Sequence, residues 1–250
     1  MSPPGRQAYR QLPRGSRKAE SKYADRLDHI VDTLALPPHN TTPVIELADD
    51  LSGVYGPFPV AWTGSAGYYQ EATIDGVICD GPAAVVGRST RTFVRDGYDY
   101  LIVSNDYLAL SPAAQGRGFA TALYDELEIY YRRSEVDVIK VHAALQNGGY
   151  TWARRGFDWD PRELWASFSD IRARISELLD DHTVAEEDKR VLNRIADRLD
   201  ENDPGQDWPT PNELARLSGK DPDLGRTLMA GSNWYGVFPL SDKGLSYGTD

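Results

Sequence analysis

Apolar positions recur along the chain in two alternating rhythms, one helical and one extended. Tyr23, Leu27, Ile30, Val31 and Leu34 predict a helix over Tyr23–Leu36, stopped by Pro37-Pro38. Residues 37–67 are rich in proline and glycine and read as loops, with one short strand at Val44–Leu47. From Tyr68 to Leu110 the pattern changes. The runs TIDGVICD, STRTFVR and YDYLIVSNDYLAL, punctuated by Gly76, Gly81-Pro82, Gly87 and Asp96-Gly97, predict consecutive antiparallel strands. Asp96-Gly97 is the strongest hairpin turn among them. Phe119, Leu123, Leu127 and Tyr130 then form one apolar helical stripe, residues 136–145 a strand, and Tyr150–Arg155 a short helix closed by Gly156. Leu164, Phe168, Ile171, Ile175 and Leu178 mark a further helix, and Leu192, Ile195 and Leu199 another, on either side of a polar break at Asp180-Asp181-His182-Thr183. Thr210-Pro211-Asn212-Glu213 is a capping box that starts a third helix, and residues 231–240 read as a late strand.

Strands and helices in this order specify an α/β fold: a mixed, mainly antiparallel sheet flanked by helices, with a C-terminal helical insertion. The expected division is an arm at 1–21, a core at 22–160, a helical subdomain at 161–230, and a late strand with tail at 231–250. With 250 residues, 40% of them hydrophobic, the chain is long enough for one sizeable core and a helical appendage. It has no run of about 18 apolar residues, which excludes a membrane-spanning helix. Its start lacks the apolar stretch of a secretion signal, so the expected compartment is the cytoplasm. Cys79 is the single cysteine, which excludes an internal disulfide framework and a cysteine-rich zinc site.

Charge adds a further constraint. The formal net charge is −11, but residues 1–26 hold seven basic side chains against two acidic ones, a surplus of five. The other 224 residues therefore carry −16 (−11 less +5). Such a body repels polyphosphate backbones, which argues against nucleic acid as a partner, and attracts cationic, amine-bearing molecules. The basic arm reads either as a solvated tail or as a docking arm for an acidic surface.

Residues 108–127, LALSPAAQGRGFATALYDEL, hold the candidate chemistry. A strand ending at Leu110 turns at Ser111-Pro112 and passes through Gln115, Gly116, Arg117 and Gly118 into a helix near Phe119. The first turn of a helix has four amides without internal partners and a partial positive charge, and glycines beside it let a phosphate approach. The unit is a candidate pyrophosphate site of a distinct kind, because the chain contains neither GxGxxG nor GxxxxGK[ST]. Asp180-Asp181-His182 reads as a solvated turn rather than a metal site. Trp208-Pro209 and Asn233-Trp234-Tyr235 read either as a pocket wall or, better for Trp234, as core.

This segment resembles motif A of the GNAT N-acetyltransferase superfamily, [QR]xxGx[GA] after an apolar-x-Pro strand end. Gln115, Gly118 and Ala120 fill the fixed places, Leu110-Ser111-Pro112 the strand end, and Thr121-Ala122-Leu123 the continuing helix. Ile139-x-Val141 and Ala153-Arg154-Arg155-Gly156-Phe157 are similar to the family's motif B, so the resemblance covers about residues 68–157. It implies a GNAT-like fold and acetyl-CoA, or another acyl-CoA, as cofactor. The pantetheine arm would lie along the main chain of Leu108, Ala109 and Leu110. The pyrophosphate would lie on the amides of Gly116, Arg117, Gly118, Phe119, Ala120 and Thr121, with extra charge from Arg117, Arg154 or Arg155.

The implied reaction is acyl transfer to a small-molecule or peptide amine by direct attack in a ternary complex, the Leu110 amide stabilising the oxyanion. Strand period places Ser104, Asp106, Leu108 and Leu110 on one face. The family often holds a carboxylate near Ser104, so Asp106 is the candidate base, with Glu71 and His142 in reserve. The family's tyrosine acid falls on Trp152 and its asparagine on Leu145, with Asn147 two residues on. Either the helix is shortened to begin at Gly148-Gly149, or Tyr150 acts as the acid, which is preferred. Two other readings stand beside this one: a non-catalytic CoA-binding or protein-interaction module, and an oligomerising structural protein such as a homodimer.

Overall fold

A computed structural model describes residues 47–49, 51–66, 71–82, 84–199 and 208–248. The basic arm and the helix expected over Tyr23–Leu36 lie outside these residues. Of the strand expected at Val44–Leu47 only Leu47 is described, and it is helical. The chain divides into two compact units. One comprises Met1–Arg95 and Tyr107–Val136, the other Asp96–Asp106 and Asp137–Asp250.

The first unit is an antiparallel meander of β1 (Gly53–Tyr55), β2 (Phe58–Ala66), β3 (Glu71–Asp80) and β4 (Ala84–Arg95), with the last residues of β5 (Leu101–Leu110) and helix α1 (Phe119–Arg133). β1 and β2 correct the expectation of loops over 37–67. Pro59 and Gly64 look like strand breakers, but Pro59 is only the second residue of β2 and pairs with the three-residue β1, where a missing donor is cheap. β3 alternates as strand period requires, burying Ala72, Ile74 and Ile78. α1 buries Phe119, Leu123, Tyr124, Leu127, Tyr130 and Tyr131, the predicted stripe widened by two tyrosines. Phe119 packs on Phe58 with ring centroids 5.7 Å apart. Arg91 is fully buried, its guanidinium 5.2 Å from the Tyr124 ring centroid and 5.9 Å from that of Trp62. Aromatic faces are the company a desolvated guanidinium tolerates.

In the second unit the first residues of β5 pair in parallel with β6 (Val138–Ala143). β6 pairs antiparallel with β8 (Trp234–Pro239), and β8 with β7 (Asp158–Trp159). The sheet is thus mixed and mainly antiparallel, and the chain between β7 and β8 is the expected helical insertion. It contains α3 (Leu164–Asp180), α4 (Glu186–Arg198), α5 (Pro211–Leu214) and α6 (Leu224–Met229). The capping box at Thr210–Glu213 is present in both directions. α6 and β7 were not signalled by periodicity, being only six and two residues long. Trp234 is fully buried and meets Trp159 edge-on at 5.4 Å, so the core reading of that residue holds. No helix among the described residues is long and apolar enough to cross a membrane.

Helix α2 (Leu145–Arg155) corrects the short helix expected from Tyr150. It runs straight through Gly148 and Gly149 and ends at Gly156 in the left-handed region, φ 96°. Gly149 is there for a close approach: a Cβ would lie 2.2 Å from the Met229 carbonyl oxygen and 2.4 Å from Ser232 Oγ. The turn expected at Asp96-Gly97 spans Asp96 to Tyr100. Asp96 accepts hydrogen bonds from the amides of Tyr98 (3.0 Å) and Tyr100 (2.9 Å) and pairs with Arg162 at 2.8 Å. Burial alone would raise the Asp96 pKa. The hydrogen bond from Arg162, the two amides and the Arg162 charge outweigh it and hold the carboxyl below its ordinary range.

Two outcomes follow. Gly149→Ala forces α2 off the residues before β8 and lowers stability by about 1–3 kcal/mol, read from the urea midpoint. Because the fold holds Asp96 charged, its contribution is complete above the ordinary aspartate pKa and fades as pH falls through the lowered value. Asp96→Asn therefore costs about 1 kcal/mol at pH 7, a gap that closes in strongly acidic solution.

Candidate functional site

β5 does not end freely. The Ser111 amide donates to the Val86 carbonyl of β4 at 2.7 Å, and Gln115 Nε2 folds back to donate to the Leu110 carbonyl at 3.0 Å. Between them Pro112–Ala114 form one tight turn. Gly116 and Gly118 then take left-handed conformations, φ 72° and 80°, which glycine adopts without steric cost. A Cβ on either would meet nothing within 4 Å, so the space over the loop is open.

α1 begins without a side-chain cap and with no acidic residue in its first turn, leaving the positive end of its dipole uncompensated. Among the described residues, no protein oxygen accepts a hydrogen bond from the amides of Gly116, Arg117, Gly118, Phe119, Ala120 or Thr121. Gly116, Arg117, Gly118 and Thr121 are exposed, while Phe119 is buried and anchors the helix start. Arg117 lies 4.5 Å over the Phe58 ring and pairs with Asp80 at 3.0 Å. Both side chains are near half exposed (46% and 49%), so the pair is worth about 0–1 kcal/mol and yields readily to another anion.

Leu108, Ala109 and Leu110 are half-buried. The parallel ladder of β5 and β6 ends at Asn105 opposite Val141. Leu108–Leu110 are the last residues of β5, following that ladder in the chain, and carry main-chain donors and acceptors that an added peptide-like chain can use.

The predicted residues thus fall in two groups. Leu108, Ala109, Leu110 and Gln115–Thr121 lie together in the first unit, whereas Asp106 and Tyr150 lie in the second, on β5 and α2. Asp106 is exposed at the end of the β5–β6 ladder. Tyr150 is half-buried, with the Arg226 guanidinium 5.7 Å from its ring centroid. Trp152 is buried edge-on against Phe157 at 4.9 Å and is part of the core. Since α2 starts at Leu145, a helix shortened at Gly148-Gly149 is ruled out. Arg154 and Arg155 occupy the last turn of α2. Glu71 opens β3 opposite Val94 in the first unit. No cluster of three or more His, Cys, Asp or Glu side chains able to hold a metal occurs among the described residues.

One arrangement was signalled only in part by the sequence. His142, exposed on β6, hydrogen-bonds through Nε2 to Asn233 Oδ1, and Asn233 Nδ2 donates to Asp170 Oδ2 of α3 at 2.6 Å. The three residues are far apart in the chain and share no spacing; His142 was a reserve base and Asn233-Trp234-Tyr235 a polar–aromatic run, but nothing linked them or pointed to Asp170.

No family model matches the chain, and no curated protein matches it in sequence. Among solved structures it is similar to AtaTR bound with AcCoA, at 16% identity over 34% of this chain and 58% of that one, TM-score 0.30. It is similar to the NatC complex bound to Gag peptide and CoA, at 16% identity over 35% of this chain and 61% of that one, TM-score 0.30. An acetyltransferase of the GNAT family from Staphylococcus aureus Mu50 matches at 10% identity over 59% of this chain and 80% of that one, TM-score 0.27. The first two likenesses span about three-fifths of the other protein's chain.

Proposed function

We propose that the chain transfers an acetyl or longer acyl group from coenzyme A to an amine. The observation that carries this reading is the set of six amides at Gly116–Thr121 that donate to no protein oxygen among the described residues, with no acid in the first turn of α1. A pyrophosphate fits such a cradle, since its oxygens accept what the protein leaves undonated. Leu108–Leu110 suit the amide-bearing pantetheine arm, for they close β5 beyond its last paired rung with β6 and have main-chain groups to offer. Bound acyl-CoA supplies an activated thioester.

Everything else is done by side chains and amides of the chain itself. The Leu110 amide donates to the oxygen on which charge develops. Asp106 draws the acceptor's ammonium group to the end of the β5–β6 ladder, and Tyr150 gives a proton to the leaving sulfur. The −16 charge of residues 27–250 favours a cationic acceptor, whether small amine, antibiotic, peptide amino terminus or lysine side chain. No cysteine is assigned a covalent role, because Cys79 sits inside β3.

A second reading, a coenzyme A-binding module without catalysis, is favoured by Trp152 being core where the family resemblance places an acid. Thiol release from acetyl-CoA over a panel of those four amine classes separates the two, since the module binds coenzyme A and releases none.

Gly118→Glu places a carboxylate over the cradle and weakens coenzyme A binding at least 100-fold, about 2.7 kcal/mol, in native mass spectrometry with the fold retained. Intact binding would show that the phosphate site is elsewhere. Tyr150→Phe lowers kcat on the order of 100-fold while leaving coenzyme A affinity unchanged. A wild-type rate removes Tyr150 from the proton-donor role.

A further inference from the structure

We propose that His142 accepts the proton from the acceptor's ammonium group, and that Asn233 and Asp170 are positioning residues that decide which ring nitrogen receives it. The proposal rests on the acyl-transfer reading and assigns to His142, held in reserve on sequence grounds, the proton-accepting step that the family resemblance together with strand period gave to Asp106.

The argument begins with Asp170. An ionised carboxylate only accepts hydrogen bonds, so Asn233 must turn Nδ2 toward it, and the 2.6 Å contact fixes the amide in that sense. Oδ1 then faces His142 Nε2 and, being an acceptor, requires a hydrogen there. In the neutral ring the lone pair is consequently on Nδ1. A carboxylate two residues removed, acting through an amide, thus selects one imidazole tautomer.

The framework holding this geometry is firm. Tyr235, the cross-strand partner of His142, stacks on the imidazole with centroids 4.4 Å apart and planes at 5°. The Tyr235 amide donates to Ser167 Oγ at 3.0 Å. Ser167 and Asp170 lie three residues apart on one face of α3, so a single helix face grips residues 233–235. His142 itself is exposed and stands one position past the last rung of the β5–β6 ladder. Asp106 and His142 are each the next residue after the last paired rung, Asn105 and Val141. A carboxylate and an oriented imidazole therefore sit at corresponding positions of adjacent strands, the first suited to hold an ammonium and the second to deprotonate it.

The chemistry of the two side-chain types points the same way. Ordinary carboxylates lie about 6 units below an alkylammonium in pKa and imidazoles about 4, so the transfer to imidazole is less uphill. In the step, R–NH3+ gives one proton to His142 Nδ1. The amine keeps the electron pair of the broken N–H bond, and the single positive charge passes to the imidazolium, whose Nε2–H still donates to Asn233. Water then removes the proton.

Selective 15N labelling of histidine, read by long-range proton–nitrogen correlation on the full chain, tests the geometry without any ligand. Neutral His142 is expected as the Nε2–H tautomer in the wild type and as a mixture in Asp170→Asn, with the amide spectrum otherwise retained. Nδ1–H in the wild type, or no change in Asp170→Asn, overturns the relay. For turnover, acetyl-CoA and the four-class amine panel serve as probes. His142→Gln keeps a hydrogen-bonding side chain without a basic nitrogen and is expected to lower kcat on the order of 100-fold with KM within threefold. Asp106→Asn is expected chiefly to raise KM. Unchanged kcat in His142→Gln overturns this inference and leaves acyl transfer standing. A wild-type chain that binds coenzyme A but acetylates no amine overturns both.

Discussion

The chain must leave β5 at Leu110 and start α1 at Phe119, and it reverses through two left-handed glycines to do so. A side chain at Gly116 or Gly118 would be strained by conformation, not by crowding, since the space around both is open. Phe119 is driven inward against Phe58, so the helix start is pinned while Gly116, Arg117 and Gly118 before it stay exposed. Hydrophobic anchoring on one side and backbone exposure on the other are two results of one turn. Leu108–Leu110 and the loop that follows are consecutive in the chain, so an extended ligand with an anionic end meets strand main chain and loop amides along one continuous segment.

In the second unit the comparable role belongs to β8. It is the strand that β6 and β7 both pair with, its first residue Trp234 is core, and α3 holds its start through Ser167 and Asp170. The helical insertion therefore does more than cover apolar surface. It orients Asn233, and through Asn233 the ring of His142. Gly149 presses α2 against residues 229–232, tying the helix that bears Tyr150 to the same stretch.

Much of this was legible in order. The strands of residues 71–110, the stripe of α1, the turn at Asp96, the capping box at Thr210 and the late strand all follow from period and turn chemistry, each being long or stereochemically distinctive. β1 and β2 were not, because Pro59 and Gly64 punctuate a segment whose pairing is decided by β3, a partner no local rule sees. α2 was read too short for a related reason. Two glycines weaken a helix by propensity, yet packing against residues 229–232 requires one of them. The loop could be read because its residues are contiguous. The relay could not, since β6, α3 and β8 meet only in the fold, and Asp170 by sequence is one more polar residue on an exposed helix side. Arg91 likewise sits within a β-strand pattern that says nothing about which face is inward.

The Gln115 bridge to Leu110 has a consequence for how fast the loop can be filled. A turn already closed by its own carboxamide has lost its conformational freedom during folding, so an arriving anion surrenders only its own. Arrival is then governed by encounter rather than by rearrangement. The encounter takes place in the field of a body carrying −16, which slows an anion's approach. Added salt shortens the reach of that repulsion and hastens association, the reverse of the trend for a basic phosphate-binding surface.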